Sequence, residues 1–479
     1  MKPALRLPVP SIFALGLLFG CGGTSTPVNP GQATPAPLST GDVNLIFVVS
    51  EDLNNNASED IDPVTANLTS QGLHRTLLMG SYLQQTVLGN QNVTAIYALE
   101  PMTHLQTANS YPDMVALQTV QQFALLNVAT LDESPAGPVL YAGNSFPINV
   151  SYAQGQVVPD VAAPLVPCQS CQGIDFNDRN SDNESLIKTV IDYGTPGYFV
   201  FSAPWVTTQA LLAAANTSHS YGLSLPSAYQ GPNLVYAISI APSGTASLTA
   251  YNSNLQPAST YPVLPPPALT RAPCSLPAFN ISAPSSAPPV ANTNETLYLM
   301  RHAEAHPTPD WDDGNYVAAG QWRALDLPNA LRGKISPDQV YSIDPAQALP
   351  SGNSKWSYVR PSLTVEPYAI ANNLPYRLAS DFQFFDAATV TPATIDFFFN
   401  NPQFSNHRIL LAWEHEHFAP LVNALLKSYG SSQTVADWAS GDYNSIWTIT
   451  LDSAGNLTVD NSKCEGINSA TLPATAPHF

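Results

Sequence analysis

Positive charge is what this chain has least of. Lys and Arg number 16 among 479 residues, against 35 Asp and Glu, for a formal net charge of −19. That balance excludes the cationic grip on a phosphate backbone that nucleic-acid binders need, and attraction to an anionic membrane surface. Charged residues of either sign are only 11%, yet apolar residues reach 44%, enough for ordinary cores. The length allows two or three domains. Beyond the N-terminus no apolar run is long enough to span a bilayer. The helical His-Glu-x-x-His spacing of zinc sites is also missing. Glu414-His415-Glu416-His417, read as extended chain, offers one conceivable metal contact at most, and no metal or cofactor is expected. Proline, by contrast, is abundant at 45 residues, so long ordered loops and linkers are expected.

The N-terminus reads as a targeting segment over residues 1–21. Lys2 and Arg6 form a basic region ahead of a short apolar stretch at 11–20, too short to span a membrane. Leu18-Phe19-Gly20-Cys21 resembles a bacterial lipoprotein cleavage box, although Phe19 is bulkier than usual there. The resemblance implies lipidation at Cys21, with palmitate, and anchorage to a bilayer of the cell envelope outside the cytoplasm. Residues 22–41 then form a flexible tether. With Cys21 set aside, Cys168, Cys171, Cys274 and Cys464 remain, an even number that in an exported chain indicates two disulfides. Cys274 precedes the C-terminal domain and Cys464 follows its last strand, so these two are the expected pair. Cys168 and Cys171 are candidates for the second bridge. Their Pro-rich loop argues against a redox role, which favours a helix N-terminus.

The chemistry lies in the C-terminal half. Leu297-Tyr298-Leu299-Met300 is a short apolar run that ends in Arg301-His302-Ala303-Glu304. It reads as a buried strand that delivers an imidazole and a guanidinium to the carboxyl edge of a sheet, where open α/β sheets bind ligands. Ile409-Leu410-Leu411-Ala412-Trp413 is a second such run, ending in Glu414-His415. Between them, Arg360 opens a predicted helix, with Pro361 suited to its first turn. Helices are predicted over 317–331, 360–372 and 418–429, strands over 297–300, 339–342 and 409–413, and a hairpin over 446–459.

An Arg-His pair and a second histidine at strand ends, with a further arginine at a helix start, resemble the histidine phosphatase superfamily, the phosphoglycerate mutase-like proteins. The resemblance covers roughly residues 295–460. It implies that His302 attacks phosphorus and becomes phosphohistidine. Arg301 and Arg360 bind the phosphoryl oxygens, with Glu304 beside them, and His415 stabilises the transition state. The proton donor is Asp381, Glu416 or Glu304, with Asp381 preferred over Glu416. His306 and His417 are expected to shape the pocket or face solvent. Between Ser342 and Arg360 the chain departs from the family, with 348–356 reading as an insertion near the site. The implied function is a metal-independent phosphomonoester hydrolase acting on a phosphorylated small molecule, exported and membrane-tethered. The alternative is a non-catalytic surface lipoprotein that binds a phosphorylated ligand or an envelope partner.

The chain also appears twice over in pattern. Leu45–Asp52 parallels Leu297–Glu304, an offset of 252 (297 − 45), and Leu234–Gly244 parallels Ser445–Gly455 at 211 (447 − 236). Gly72–Arg75 matches Gly320–Arg323, Tyr97–Pro101 matches Tyr341–Pro345, and Tyr198–Pro204 is matched to Ile409–His415. In this alignment Val49 and Ser50 stand where the second copy has Arg301 and His302, and Pro204 stands opposite His415. The expected fold is therefore α/β: two tandem phosphoglycerate mutase-like three-layer domains with mainly parallel sheets, the first degenerate. The expected boundaries are 42–255 and 295–465, joined by a Pro-rich linker at 256–294 and followed by a tail at 466–479.

Overall fold

The apolar run 45–49 lies in a strand, β1 (Val43–Ser50), whose eight residues are all buried, as in a strand covered on both faces. This computed structural model describes residues 34–479 apart from 58, 130–142, 151–172, 179–180, 275–277, 307–312, 347, 352–353 and 380–386. Cys21, Cys168, Cys171 and Asp381 therefore lie outside the described residues, as do the targeting segment and most of the tether.

After β1 come α1 (Ser70–Tyr82), β2 (Ala95–Ala98), β3 (Leu105–Gln106), β4 (Tyr111–Pro112) and α2 (Val115–Leu125). The first half continues with α3 (Asp182–Tyr193), β5 (Gly197–Pro204), α4 (Trp205–Ser218), β6 (Leu234–Ile240) and β7 (Ala246–Asn252). Its main sheet has the order β2-β5-β1-β6-β7.

The second half runs β8 (Asn280–Ala283), β9 (Glu295–Arg301), α5 (Ala318–Ala330), β10 (Gln339–Ile343), β11 (Ala348–Ser351) and β12 (Ser354–Ser357). Then follow α6 (Arg360–Asn372), β13 (Tyr376–Ala379), α7 (Ala387–Phe399), β14 (Arg408–Trp413), α8 (Phe418–Ser428), β15 (Ser445–Leu451) and β16 (Leu457–Cys464). The sheet order is β13-β10-β14-β9-β15-β16-β8. The insertion at 348–356 forms the antiparallel hairpin β11-β12.

Strand order and direction repeat between the halves. β2, β5 and β1 are parallel and β6 and β7 antiparallel, just as β10, β14 and β9 are parallel and β15 and β16 antiparallel. Phe47 pairs with Tyr236, and Leu299 with Trp447, which reproduces the offsets 252 (299 − 47) and 211 (447 − 236). β14 needs a correction of one residue. Tyr97 pairs with Phe201 and Tyr341 with Leu411, an offset of 210 (411 − 201). Trp205, not Pro204, thus stands at the place of His415, and Pro204 at that of Glu414. Strands buried on both faces carry no alternation to fix the register by eye.

Two further expectations change. The sheets are mixed rather than mainly parallel. β15 and β16 join through a short turn, and without a crossover they must run antiparallel. Nor do the halves separate. Thr34–Phe479 is one compact unit, and a single core combines Ile46, Val48, Met79 and Phe123 with Met300, Ala324, Leu363 and Leu410. Helices α1, α2, α5 and α6 fill the space between the two sheets, while α3 and α4 cover the outer face of the first sheet and α7 and α8 that of the second. All eleven residues of α2 are buried, including three glutamines. Gln121 exchanges amide hydrogen bonds with Asn315 at 2.9 and 3.1 Å. A buried amide left unpaired would be costly, so this pair fixes how the halves dock.

The linker and tail are built into the same body. β8, inside the Pro-rich stretch, adds an edge to the second sheet. Cys274 and Cys464 are disulfide-bonded, as expected. In the tail, the Thr475 and Pro477 carbonyls accept from Trp322 Nε1 at 2.8 Å and Gln122 Nε2 at 2.6 Å, so it reaches both halves. Gly72 and Gly320 open the first turns of α1 and α5. A Cβ at either would meet a main-chain oxygen, of Asp60 at 2.2 Å and of Glu304 at 2.9 Å. These close approaches explain why both copies keep glycine there.

Candidate active site

The strands β9 and β14 lie side by side, Arg301 level with Trp413, so the residues after them emerge together at the carboxyl edge of the sheet. His302 N donates to Trp413 O at 3.1 Å, which continues the ladder one step. His302 on one strand end then faces Glu414 and His415 on the next. Arg360 arrives from a third direction, at the start of α6, where its N–H donates to Gly314 O at 3.1 Å.

His302 is 1% exposed. Its Nδ1 is 2.7 Å from its neighbour Ala303's carbonyl oxygen, and its Nε2 is 3.2 Å from Glu414 Oε2. A carbonyl only accepts, so Nδ1 carries the proton of the neutral ring and Nε2 the lone pair. The Ala303 peptide is itself held: its N–H donates to Thr364 Oγ1 at 2.8 Å, and that hydroxyl donates to Arg360 O at 2.7 Å. Burial, with the Arg360 guanidinium second, pushes the His302 imidazole down to about 4. A ring neutral at physiological pH with a fixed lone pair is a nucleophile ready to act.

Two guanidiniums and a second imidazole gather around it. The Arg301 guanidinium lies 4.1 Å from the Tyr443 ring centroid and donates to Ser440 O, while its buried Nε has no hydrogen-bond partner. Arg360 lies 4.6 Å over the Tyr358 ring. Tyr443 and Tyr358 both meet the His302 ring edge-on, at 6.0 and 6.2 Å. His415 is buried and its Nδ1 bonds Glu414 Oε1.

The acids are arranged differently from expectation. Glu304 is fully buried, and both its oxygens accept from Arg323, at 2.7 to 2.9 Å. It is an ion-pair partner of Arg323. Arg323 also bonds buried Glu465, whose carboxyl burial pushes up to about 7 despite that partner. Glu416 is exposed. Among the described residues, the carboxylate inside the site is Glu414. Burial pushes it up, but His302, His415 and Arg301 outweigh burial and hold it well below the usual range. His417 is buried and stacks on Trp413 at 4.2 Å. Among the described residues, no group of three or more His, Cys, Asp or Glu is placed to hold a metal ion, and no helix is long and apolar enough to cross a membrane.

Sequence reasoning singled out Arg301, His302, Arg360 and His415, and these converge. It missed Glu414, Tyr358, Tyr443 and Thr364. Glu414 was detectable in principle, since a residue just past one strand end is level with one just past its neighbour, but only once the register is known.

No family model and no curated protein matches the chain. Solved structures that resemble it include a putative phosphohistidine phosphatase, SixA, from Nakamurella multipartitia. It is 14% identical, with a TM-score of 0.23, over 38% of this chain and 92% of that one. The putative phosphohistidine phosphatase SixA of Agrobacterium tumefaciens matches at 14% and 0.21, over 34% of this chain and 95% of its own. A mycobacterial glucosyl-3-phosphoglycerate phosphatase in complex with inorganic phosphate matches at 15% and 0.23, over 33% and 89%. Likeness at this level carries no argument about activity.

Proposed function

We propose that the chain is a phosphomonoester hydrolase that works through phosphohistidine at His302. The observation that carries this reading is the His302 ring itself, buried with Nδ1 bound to a carbonyl and Nε2 on the side of Glu414, among the charges of Arg301 and Arg360 and beside His415. A phosphoryl group repels a nucleophile until its charge is neutralised, and two guanidiniums suit its oxygens. His302 Nε2 attacks phosphorus as the ester oxygen departs with a proton. Water then cleaves the N–P bond, releasing phosphate and restoring His302. Asp381 is the proposed proton donor, on its position in the sequence. The chemistry needs no metal, because Arg301 and Arg360 supply positive charge and the His415 ring can offer a further donor. Export and anchorage at Cys21 belong to the same proposal, supported by the basic start, the short apolar stretch and the cleavage-box pattern.

The test is hydrolysis of p-nitrophenyl phosphate in EDTA by protein lacking the targeting segment, beside His302→Ala. Turnover lost in the variant supports the reading. Equal inertness of both favours the non-catalytic, ligand-binding alternative.

A further inference from the structure

Among the described residues, Glu414 is the charged group in the site that the reaction above does not use, and it lies between His302 and His415. Its Oε2 is 3.2 Å from His302 Nε2 and accepts from Tyr358 Oη at 2.8 Å. Its Oε1 accepts from the His415 N–H at 2.9 Å and bonds His415 Nδ1. A carboxylate thus lies against the nucleophilic nitrogen and against the histidine that the phosphatase reading assigns to the phosphoryl oxygens.

We propose that Glu414 is the site's resident anion. Its carboxylate holds the place of the phosphoryl group, and a phosphomonoester enters only by displacing it. The inference rests on the phosphatase reading and adds a determinant of which anions the site accepts.

Three observations support it. The fold does not require a carboxylate at this strand end. The register-equivalent positions in the first half carry Pro204 and Trp205, within the same sheet topology. The contact with His302 is also frustrated. With the ring proton at Nδ1, Nε2 and Oε2 are two acceptors facing one another unless a proton enters between them. Finally, the carboxylate satisfies the histidine and tyrosine donors with its two oxygens and leaves Arg301 Nε unsatisfied. A phosphoryl group has three terminal oxygens and more charge. It has the acceptors to take over these bonds and to reach the remaining donor. Small monocarboxylates have no such advantage over a carboxylate already tethered in place, and a singly charged diester has less of it than a dianionic monoester.

An occupied site weakens apparent affinity by the fraction of time it is blocked, so a site open one tenth of the time binds about tenfold more weakly. The experiment is calorimetric titration of the full chain with inorganic phosphate, for wild type, Glu414→Gln and Glu414→Ala. p-Nitrophenyl phosphate hydrolysis by wild type is measured in parallel. The expected result is phosphate binding about tenfold or more tighter in the folded variants than in wild type. Two variants are used because either alone may be rejected by a melting curve. Unchanged or weaker binding, with wild-type turnover intact, overturns the proposal and makes Glu414 a group that positions the histidines. Absence of both turnover and phosphate binding in every form overturns the phosphatase reading with it.

Discussion

Arg323 grips Glu304 through Nε and Nη2, at 2.7 to 2.9 Å, with both side chains fully buried directly behind the nucleophile's strand end. The same guanidinium reaches Glu465, so one cation serves two buried carboxyls. The first half keeps an arginine at the matching helix position, where Arg75 bonds Asp60 at 2.7 Å, although it keeps none of the proposed catalytic groups. An arginine present at both helix positions is expected to serve the fold. Arg323→Met strands two carboxyls in the core. It is expected to cost about 3–5 kcal/mol in urea unfolding, more than any single change in the exposed Glu416. A loss under 1 kcal/mol would show that the pair is dispensable.

Thr364 acts through a peptide. Its hydroxyl anchors the Ala303 N–H, whose carbonyl neighbour fixes the His302 tautomer. Thr364→Val leaves that N–H buried without an acceptor and loosens Ala303, whose own carbonyl holds His302 Nδ1. The expected outcome is kcat lower by about tenfold or more with KM nearly unchanged, and recovery in Thr364→Ser. A loss of equal size in Thr364→Ser would mean that packing, not the hydroxyl, matters there.

Stability should fall as the medium becomes alkaline. Burial pushes Glu295 from 4.5 to about 8 and Glu51 and Glu465 to about 7. Between 4.5 and those values the folded chain holds protons that the unfolded chain has released. The stabilisation from these groups is complete below the unfolded value and is lost as pH rises through 7 to 8. Melting temperatures measured from about pH 5 to pH 9 should decline up to about pH 8 and level off above it, and Glu295→Gln should flatten part of the decline. A melting temperature that rises from about pH 5 to about pH 8 would contradict the assignment.

What could be read in advance follows from what each signal depends on. The apolar runs before Arg301 and Glu414 and the proline after Arg360 are local, and they gave the strands and the helix that bring the cations together. The two offsets were legible because Leu45–Val49 and Leu297–Met300 need similar strands, and sheet pairing repeats them. The one-residue slip at His415 came from a strand with no polar face to mark its register. Glu304 looked like a site residue because it is close in sequence to His302. Its partner, Arg323, lies on α5, 19 residues further on. Tyr358, Tyr443 and Thr364 gave no signal, since each acts through a contact that only the packing of α6 and the loop before β15 creates.

The most direct test is chemical capture of the intermediate. Wild-type protein turning over a labelled phosphomonoester is quenched in alkali, where phosphohistidine survives, and its peptides are mapped by mass spectrometry. The account predicts phosphate on the peptide that carries His302, localised to Nε2, and none in His302→Ala. Sustained hydrolysis by wild type with no phosphate on His302, or with phosphate on another residue, would contradict it.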